Sequence, residues 1–263
     1  MLLEAVRACK TFRARRGGRS VDAVIDASLQ VRPGEFVAIV GESGSGKSTL
    51  ARMLLGLVPV TSGSVEFDGV ALASMDRQRW NGYRRHVQAV LQDPAGSLNP
   101  RKTVATAVGE VVRLHRIAEG RDAVRRAVCD ALDLVGMTPP EAYLGRYPHE
   151  LSGGQRQRVL IARAIVLEPT IIVADEAVSA LDASVKAGVL RLMDDLRRRL
   201  GVGYVFITHD LPVVNKVAEH VYVMKSGEIV EHGDKDQIFD APRHPYTMTL
   251  LAAAPTLATG RPG

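Results

Sequence analysis

The sequence predicts an α/β fold in which helices cover both faces of a mostly parallel β-sheet. Two short, wholly apolar segments, Phe36–Val40 and residues 171–174, are typical of buried strands. Helical patterns follow both segments, and the longest, residues 184–200, carries an apolar stripe. The stripe consists of Val185, Val189, Leu192, Leu196 and Leu200. Because parallel strands need a crossover connection, such alternation indicates a parallel sheet.

The predicted strands are bounded by turn residues. In chain order they are residues 2–9, 23–31, 36–40, 65–67, 87–91, 171–174, 204–207 and 220–224. Gly17-Gly18 lies in the loop between the first two, and Asp68-Gly69 is a turn signal after the fourth. A helix is expected from Lys47, after a Gly/Ser loop, and the strand at 87–91 is expected to be buried.

Helical patterns dominate the middle of the chain, from Pro94 to about Leu151. Residues 104–114 and 121–135 are the clearest helices, and prolines at 139, 140 and 148 interrupt the pattern. We interpret residues 94–158 as an inserted helical subdomain of a domain that spans residues 1–235. Residues 236–263 then form a short C-terminal extension with helical character from Asp234, and residues 258–263 are expected to be disordered.

Composition is that of an ordinary globular protein. Apolar residues make up 46% of the 263 residues, so a core can form without disulfides or metal. The two cysteines, Cys9 and Cys129, are far apart and outside any CxxC pattern, so we expect reduced thiols in a cytoplasmic protein. Residues 1–16 hold no long apolar run, and no stretch approaches the ~18 apolar residues needed to span a bilayer. Neither a signal peptide nor a membrane anchor is expected.

The net charge of +5 is spread along the chain. The densest basic groups are Arg13, Arg15, Arg16 and residues 197–199, and neither group is interleaved with stacking aromatics. Residues 197–199 lie at the end of a predicted helix, where cations suit the helix dipole. We therefore expect no nucleic-acid partner, because such partners need clustered positive charge.

A glycine-rich loop carries the clearest chemical signal. Residues 41–48 read Gly-Glu-Ser-Gly-Ser-Gly-Lys-Ser and match the pattern GxxxxGK[ST] between an apolar strand and a helix. Backbone N–H groups and the helix N-terminus can then bind the phosphates of ATP. Lys47 would reach the β- and γ-phosphates, and Ser48 would offer its hydroxyl to Mg²⁺. The candidate nucleotide-binding residues here are Gly41, Ser43, Gly44, Ser45, Gly46, Lys47, Ser48 and Thr49.

Two carboxylates follow the predicted strand at residues 171–174. A strand of this kind places Asp175 at the carboxyl edge of the sheet, where ligands of α/β proteins bind. Asp175 could hold Mg²⁺ through water, and Glu176 could orient or deprotonate the attacking water. The alternative is a solvated acidic pair. GTPases would also show NKxD, but residues 215–218 read Asn-Lys-Val-Ala, so guanine specificity is not expected.

A second candidate anion site precedes a helical segment at residues 156–167. Residues 151–155 read Leu-Ser-Gly-Gly-Gln. Ser152 is a predicted N-cap, and Gly153 and Gly154 would expose backbone N–H groups. An ordinary capped helix start is the alternative that residues 151–155 alone would leave open.

With LSGGQ between the two other motifs, the chain resembles the ABC ATPase family over nearly its whole length. The resemblance implies a P-loop NTPase fold with a RecA-like core, an antiparallel β subdomain and a helical subdomain. It implies that Gln92 senses Mg²⁺ and water, that His209 lies near the γ-phosphate, and that Gln155 belongs to the signature. Asp182 resembles the last residue of the family's D-loop, and Phe12 the aromatic that stacks on adenine. By themselves, Gln92 and His209 could be surface or capping residues, and Phe12 could be a core residue.

Three stretches resemble the branch of that family that imports peptides or nickel. They are residues 92–101, 175–182 and 244–247, the last reading His-Pro-Tyr-Thr. Ala177-Val178 stands where most ABC ATPases carry Pro-Thr, as it often does in this branch. No cysteine follows Cys129, so the iron–sulfur segment of some branch members is not expected.

The resemblance also implies partners. These are a second ATPase subunit, identical or paralogous, two integral membrane permeases, and an extracytoplasmic solute-binding protein. The chain would then lie peripherally at the cytoplasmic face of the bacterial inner membrane, and residues 93–101 would contact the permease. The alternatives are an ABC ATPase acting on DNA or ribosomes, which usually has coiled coils, zinc modules or tandem units absent here, and the motor of an exporter.

Overall fold

The computed structural model describes residues 1–13, 20–91 and 97–254. They form two compact units, which we name by the motif that each contains. The signature unit comprises residues 32–35 and 74–204 together with Met1. The P-loop unit comprises residues 2–31, 36–73 and 205–263. No helix in the described ranges is both long and apolar enough to cross a membrane.

The regular elements follow the predicted alternation closely. The strands are β1 Leu3–Phe12, β2 Val21–Val31, β3 Phe36–Val40, β4 Ser62–Phe67, β5 Val70–Ala71, β6 Val87–Val90, β7 Ile171–Asp175, β8 Gly203–Ile207, β9 His220–Lys225 and β10 Glu228–Asp234. The helices are α1 Lys47–Leu54, α2 Arg77–His86, α3 Val104–Leu114, α4 Arg121–Leu134, α5 Glu141–Leu144, α6 Gly153–Ile165, α7 Ala183–Leu200, α8 Leu211–Val217, α9 Lys235–Asp240 and α10 Pro245–Ala252. The α/β fold class is confirmed.

The P-loop unit contains an antiparallel sheet of order β2-β1-β4-β5. Strand β1 lies between β2 and β4, so Leu3 is opposite both Val31 and Phe67. The predicted turn at Asp68-Gly69 is confirmed, since φ is +50° at Asp68 and +74° at Gly69. Positive φ at both central residues suits a tight hairpin whose strands twist together. This sheet is the predicted antiparallel β subdomain.

The same unit holds part of the second, larger sheet, in the order β10-β9-β3-β8. All five residues of β3 are buried, and β3 runs parallel to β9 with Val40 opposite Val223. Strand β10 returns antiparallel to β9 through the turn at Ser226 and Gly227. Strand β3 therefore lies inside the sheet and delivers its carboxyl end to the glycine-rich loop.

In the signature unit, β7 lies parallel to β6. Strand β7 is wholly buried, as predicted. The prediction that residues 87–91 are buried is wrong in part, because only Val87 and Val90 are buried and Leu91 is 38% exposed. Strand β6 ends the strand order, so it has one sheet neighbour and a half-exposed surface.

The helices of the signature unit agree well with their apolar periodicity. Helix α3 has the predicted bounds, and α4 ends one residue early, at Leu134. The predicted stripe of α7 is correct at Val189, Leu192 and Leu196, whereas Leu200 is 45% exposed. Leu200 is the last residue before the left-handed cap Gly201, where the helix has left the core.

Five elements were not predicted: β5 and α5 have only two and four residues, and the others are α2, α8 and β10. Helix α2 buries Tyr83 but consists mostly of polar residues, and it starts where Asp76 accepts a hydrogen bond from the Arg79 N–H, at 2.8 Å. Helix α8 has only seven residues, and β10 mixes charged and apolar side chains. The helical extension predicted from Asp234 is present as α9 and α10, while residues 258–263 lie outside the described residues. The domain limits 1–235, 94–158 and 236–263 stay a prediction.

Glu231 of β10 holds the C-terminal helices in place. Its carboxylate accepts hydrogen bonds from the backbone N–H groups of Arg243, at 2.8 Å, and His244, at 3.0 Å. The Gln237 amide donates a third, at 3.0 Å. Partial burial by itself would raise the pKa of Glu231, but the hydrogen bonds outweigh it and lower that pKa to about 2.

We predict that Glu231 stabilises the P-loop unit in a pH-dependent way. Its folded-state pKa is depressed from an ordinary value of 4.5 to about 2, so its contribution is complete above pH 4.5 and is lost between pH 4.5 and 2. Thermal unfolding of wild type and Glu231→Gln should therefore differ most near neutral pH and converge on acidification. Glu228→Gln, at the exposed start of the same strand, is the control variant. A Glu231 difference that is constant with pH contradicts the prediction.

Candidate functional site

The glycine-rich loop connects the buried strand β3 to α1 in the P-loop unit. Helix α1 begins at Lys47, and its N-cap Gly46 has φ +105° and provides no side-chain cap. The first N–H groups of a helix have no partner within it. No side chain caps α1, and the positive end of a helix dipole favours an anion.

Close packing of backbone against backbone explains the first glycine of the loop. A Cβ on Gly41 would lie 2.1 Å from the Met224 carbonyl oxygen of β9, so no other residue fits. On the other side the loop is open, since a Cβ on Gly44 would meet no atom within 4 Å. The loop is thus pressed against β9 at Gly41 and is open at Gly44.

Lys47 is 6% exposed, and its ammonium lies inside the loop. The Nζ atom donates to the carbonyl oxygens of Gly41, at 2.8 Å, and Glu42, at 2.7 Å. A third contact joins it to the Ser45 hydroxyl, at 3.4 Å. Of the remaining predicted loop residues, Ser43 is exposed and Ser48 and Thr49 are half-buried at the start of α1. A cation held within this loop is matched in charge to polyphosphate.

Two further candidate residues of the P-loop unit lie apart from the loop in sequence. His209 is exposed and follows Thr208, whose N–H donates to Ile39 of β3 at 3.2 Å. That hydrogen bond places the segment of His209 beside β3, the strand that precedes the glycine-rich loop. Phe12 ends β1 and is 45% exposed, with the Lys10 ammonium 5.2 Å from its ring centre. Phe12 is therefore not a core residue, and its ring is accessible for stacking.

The acidic pair lies in the signature unit, at the carboxyl end of β7. Asp175 is the last residue of the strand and is 6% exposed. Glu176 has φ +48°, a left-handed conformation that is uncommon for a residue with a Cβ. The backbone therefore turns directly after Asp175, at the end of the strand. The Glu176 carbonyl accepts hydrogen bonds from the N–H and hydroxyl of Ser179, which close the turn.

The LSGGQ segment forms a capping box at the start of α6. The Ser152 hydroxyl accepts from the Gln155 N–H at 3.2 Å, and the Gln155 side chain accepts from the Ser152 N–H at 3.0 Å. The predicted N-cap at Ser152 is confirmed, although α6 begins at Gly153 and not at residue 156. Ser152 itself is exposed, and the first-turn N–H groups of Gly153 and Gly154 have no intrahelical partner.

Helix α7 packs directly on this helix start within the signature unit. A Cβ on Gly154 would lie 2.5 Å from a methyl group of Val185, which explains the glycine there. Asp182 is the N-cap of α7 and accepts from the Val185 N–H at 2.9 Å and the Ser184 hydroxyl at 2.8 Å. These hydrogen bonds lower the pKa of Asp182. The structure thus brings residues 152–154 together with the segment of Asp182.

Some predicted residues cannot be placed. Gln92 and residues 93–96 of the candidate permease contact lie outside the described residues. In the described part of that contact, the Ser97 carbonyl accepts from the Arg163 guanidinium at 2.7 Å. Among the described residues, no cluster of three or more His, Cys, Asp or Glu side chains could hold a metal. Of the Mg²⁺ ligands predicted from sequence, Ser48, Gln92 and Asp175, the two described residues, Ser48 and Asp175, offer hard oxygen atoms, which suit an ion that keeps most of its water.

Sequence reasoning missed a contact between Tyr246 and the glycine-rich loop. The Tyr246 hydroxyl accepts a hydrogen bond from the Glu42 N–H at 3.1 Å, and the Lys225 ammonium lies 4.8 Å from the Tyr246 ring centre. Tyr246 belongs to the His-Pro-Tyr-Thr stretch, which drew attention only as a likeness to one branch of a family. That stretch was the available signal, but its distance in sequence from the loop concealed the contact.

Two known families match the chain. The family described as "ABC transporter" matches residues 24–179, and "Oligopeptide/dipeptide transporter, C-terminal region" matches residues 230–262. The glutathione import ATP-binding protein GsiA of Escherichia coli (strain K12) is 46% identical over 243 residues, covering 92% of this chain and 38% of GsiA. GsiA of Salmonella typhi has the same identity and coverage. The chain spans about two-fifths of the length of these curated relatives.

Solved structures with the same fold are also similar to the chain. The dimeric bacterial ABC transporter cassette MJ0796 is 29% identical with a TM-score of 0.76, covering 89% of this chain and 98% of MJ0796. The cbiO1 protein from Clostridium perfringens, part of the ABC transporter complex cbiONQ, is 27% identical with a TM-score of 0.77, covering 91% and 90% of the two chains. The predicted fold is thereby confirmed.

Substitutions at Ser152 should show how much its capping oxygen stabilises the folded protein. Ser152→Ala removes the cap and should lower the free energy of unfolding by about 1 kcal/mol, whereas Ser152→Asp keeps a capping oxygen and should stay near wild type. Urea unfolding of both variants measures the difference. Equal stability of the alanine and aspartate variants contradicts the capping role.

Proposed function

The chain belongs to the ABC transporter family, and from this premise we propose that it binds and hydrolyses ATP to drive an importer for peptides, nickel or a related small solute. The observation that carries this proposal is the presence of two family matches in one chain. Residues 24–179 match the ABC transporter family, and residues 230–262 match the C-terminal region of oligopeptide/dipeptide transporters. The second match favours an importer of small solutes over a motor for export or an ATPase acting on DNA or ribosomes.

ATP binding is assigned to the glycine-rich loop and the start of α1. The supporting geometry is the open space beside Gly44, the helix start without a side-chain cap and the buried Lys47. Lys47 would exchange its carbonyl partners for phosphate oxygens when ATP enters. Ser43, Ser45 and Thr49 complete the proposed cradle, and Phe12 offers an exposed ring to the adenine.

Hydrolysis is assigned to groups that position water and balance charge. Glu176 orients or deprotonates the attacking water, helped by His209 and Gln92. Ser48, Asp175 and Gln92 would hold Mg²⁺, which neutralises charge on the phosphates. Support comes from the buried Asp175 carboxylate at the end of β7 and from the turn at Glu176 that separates the two acids.

The signature is assigned to the nucleotide of a second ATPase subunit, either identical or paralogous. Ser152, Gly153, Gly154 and Gln155 would bind its γ-phosphate, with Asp182 at the same interface. The supporting observation is the exposed Ser152 at the start of α6, where the first-turn N–H groups have no partner within the helix. MJ0796, which is similar to this chain, has dimeric structures, one of them a post-hydrolysis state bound to ADP and Pi.

The remaining partners are assigned by the same family membership. They are two integral membrane permeases, contacted through residues 93–101, and an extracytoplasmic solute-binding protein. The chain would then lie peripherally at the cytoplasmic face of the bacterial inner membrane. ATP-driven closure and hydrolysis-driven opening of the ATPase pair would move the permeases.

Lys47→Ala should abolish ATP binding, because it removes the cation that the loop encloses. Calorimetric titration of Mg·ATP measures the loss. Lys216→Ala, which removes an exposed lysine from α8 of the same unit, is the matched control and should bind ATP like wild type. Retained affinity in Lys47→Ala contradicts the assignment of the loop.

Glu176→Gln should retain ATP binding and lose turnover by at least about 100-fold, since proton abstraction is impaired while binding groups are intact. It should also accumulate a closed ATPase pair, measured by sedimentation with Mg·ATP. Glu119→Gln, on the surface of the signature unit, is the control. A wild-type hydrolysis rate in Glu176→Gln refutes the catalytic role.

A further inference from the structure

The family matches leave the role of the His-Pro-Tyr-Thr stretch open, and its contacts within the P-loop unit point to one. Tyr246, in the first turn of α10, is 7% exposed, so its position is fixed by packing. Its hydroxyl oxygen accepts the N–H of Glu42, the second residue of the glycine-rich loop, at 3.1 Å. The C-terminal extension therefore touches the candidate nucleotide cradle directly.

Glu42 is held from both sides of its backbone. Tyr246 accepts from its N–H, and the Lys47 ammonium donates to its carbonyl at 2.7 Å. If Lys47 turns to the phosphates of ATP, as proposed above, the Glu42 carbonyl loses that partner. The hydrogen bond to Tyr246 does not involve Lys47, so it can persist and keep Glu42 in place while ATP is bound.

A chain of contacts fixes Tyr246 itself. Glu231 of β10 binds the N–H groups of Arg243 and His244, and the His244 imidazole accepts from the Tyr246 N–H at 3.1 Å as the N-cap of α10. The Lys225 ammonium at the end of β9 lies 4.8 Å from the centre of the Tyr246 ring, within the range of a cation–π contact. The tyrosine is thus anchored to both strands of the β9–β10 hairpin.

We infer that Tyr246 is a positioning residue for nucleotide binding, through which the C-terminal extension holds Glu42 and the glycine-rich loop in the shape that accepts ATP. The inference rests on the proposed function of that loop. Its consequence is that the extension sets the affinity for ATP and leaves the chemical step unchanged, because Tyr246 contacts the binding loop and not the reacting groups.

Tyr246→Phe tests the inference, since it removes only the hydroxyl. The dissociation constant of Mg·ATP should rise about three- to ten-fold, in line with loss of one hydrogen bond, with kcat unchanged. Tyr222→Phe is the matched control, because the Tyr222 hydroxyl likewise accepts a backbone N–H, that of Gln30 at 3.4 Å, in the same unit. Equal ATP affinity in wild type and Tyr246→Phe overturns the inference, whatever happens to stability.

A readout without nucleotide separates this inference from the proposed function. Hydrogen exchange of the Glu42 amide in the free protein should be faster in Tyr246→Phe than in wild type and unchanged in Tyr222→Phe. Suppose that wild type binds ATP but that Tyr246→Phe leaves either the exchange rate of the Glu42 amide or the affinity for Mg·ATP unchanged. In that case only the inference fails. If wild type binds no ATP, the proposed function fails and takes the positioning role with it, even where the Glu42 amide responds.

The anchoring contacts offer a second test. Glu231→Gln should weaken ATP binding in the same direction as Tyr246→Phe, because it loosens the segment that carries the tyrosine. Because both variants act through Glu42, the double variant should lose less ATP-binding free energy than the sum of the two separate losses. A Glu231→Gln protein with wild-type affinity shows that the anchor does not reach the loop and overturns that part of the inference.

Discussion

Both candidate anion sites depend on one constraint, which is that the first N–H groups of a helix have no partner inside the helix. Helix α1 starts with no side-chain cap, and the buried Lys47 ammonium stands beside it. Helix α6 starts at a capping box in which Ser152 accepts only the N–H of Gln155. A phosphate group is the ligand that satisfies such donors, so the rest of the fold can be understood as support for these two helix starts.

The elements that could be predicted from the sequence are those with a regular apolar pattern. Strand β3 and helix α3 have the predicted bounds, because a buried strand is apolar throughout and a half-buried helix repeats every 3.6 residues. Helix α2 and strand β10 lack such a pattern, since a cap at Asp76 starts the former and pairing with β9 defines the latter. Elements stabilised by a single cap or by a distant strand cannot be recognised from local periodicity.

Parts of the candidate site could be predicted from the sequence wherever one short motif contains all the groups that determine its local structure. The loop at residues 41–48 and the cap at Ser152 are local, so their backbone conformation follows from glycines and from one hydroxyl. The contact between Tyr246 and Glu42 joins residues 204 positions apart and depends on how α10 packs, so no local pattern predicted it. Through such a long-range contact, residues 244–247, which the sequence singled out only by family resemblance, can act in the positioning role inferred above for Tyr246.

The central claim is that one ATP is held between two ATPase chains, by the glycine-rich loop of one and the signature of the other. The most direct test is a structure of the intact assembly, with Glu176→Gln trapping Mg·ATP. The account predicts that the Ser152 hydroxyl of one chain lies within hydrogen-bonding distance, about 3 Å, of the γ-phosphate of an ATP. Lys47 of the other chain should contact the phosphates of that same ATP. ATP enclosed by a single chain, with Ser152 far from any terminal phosphate, would contradict it.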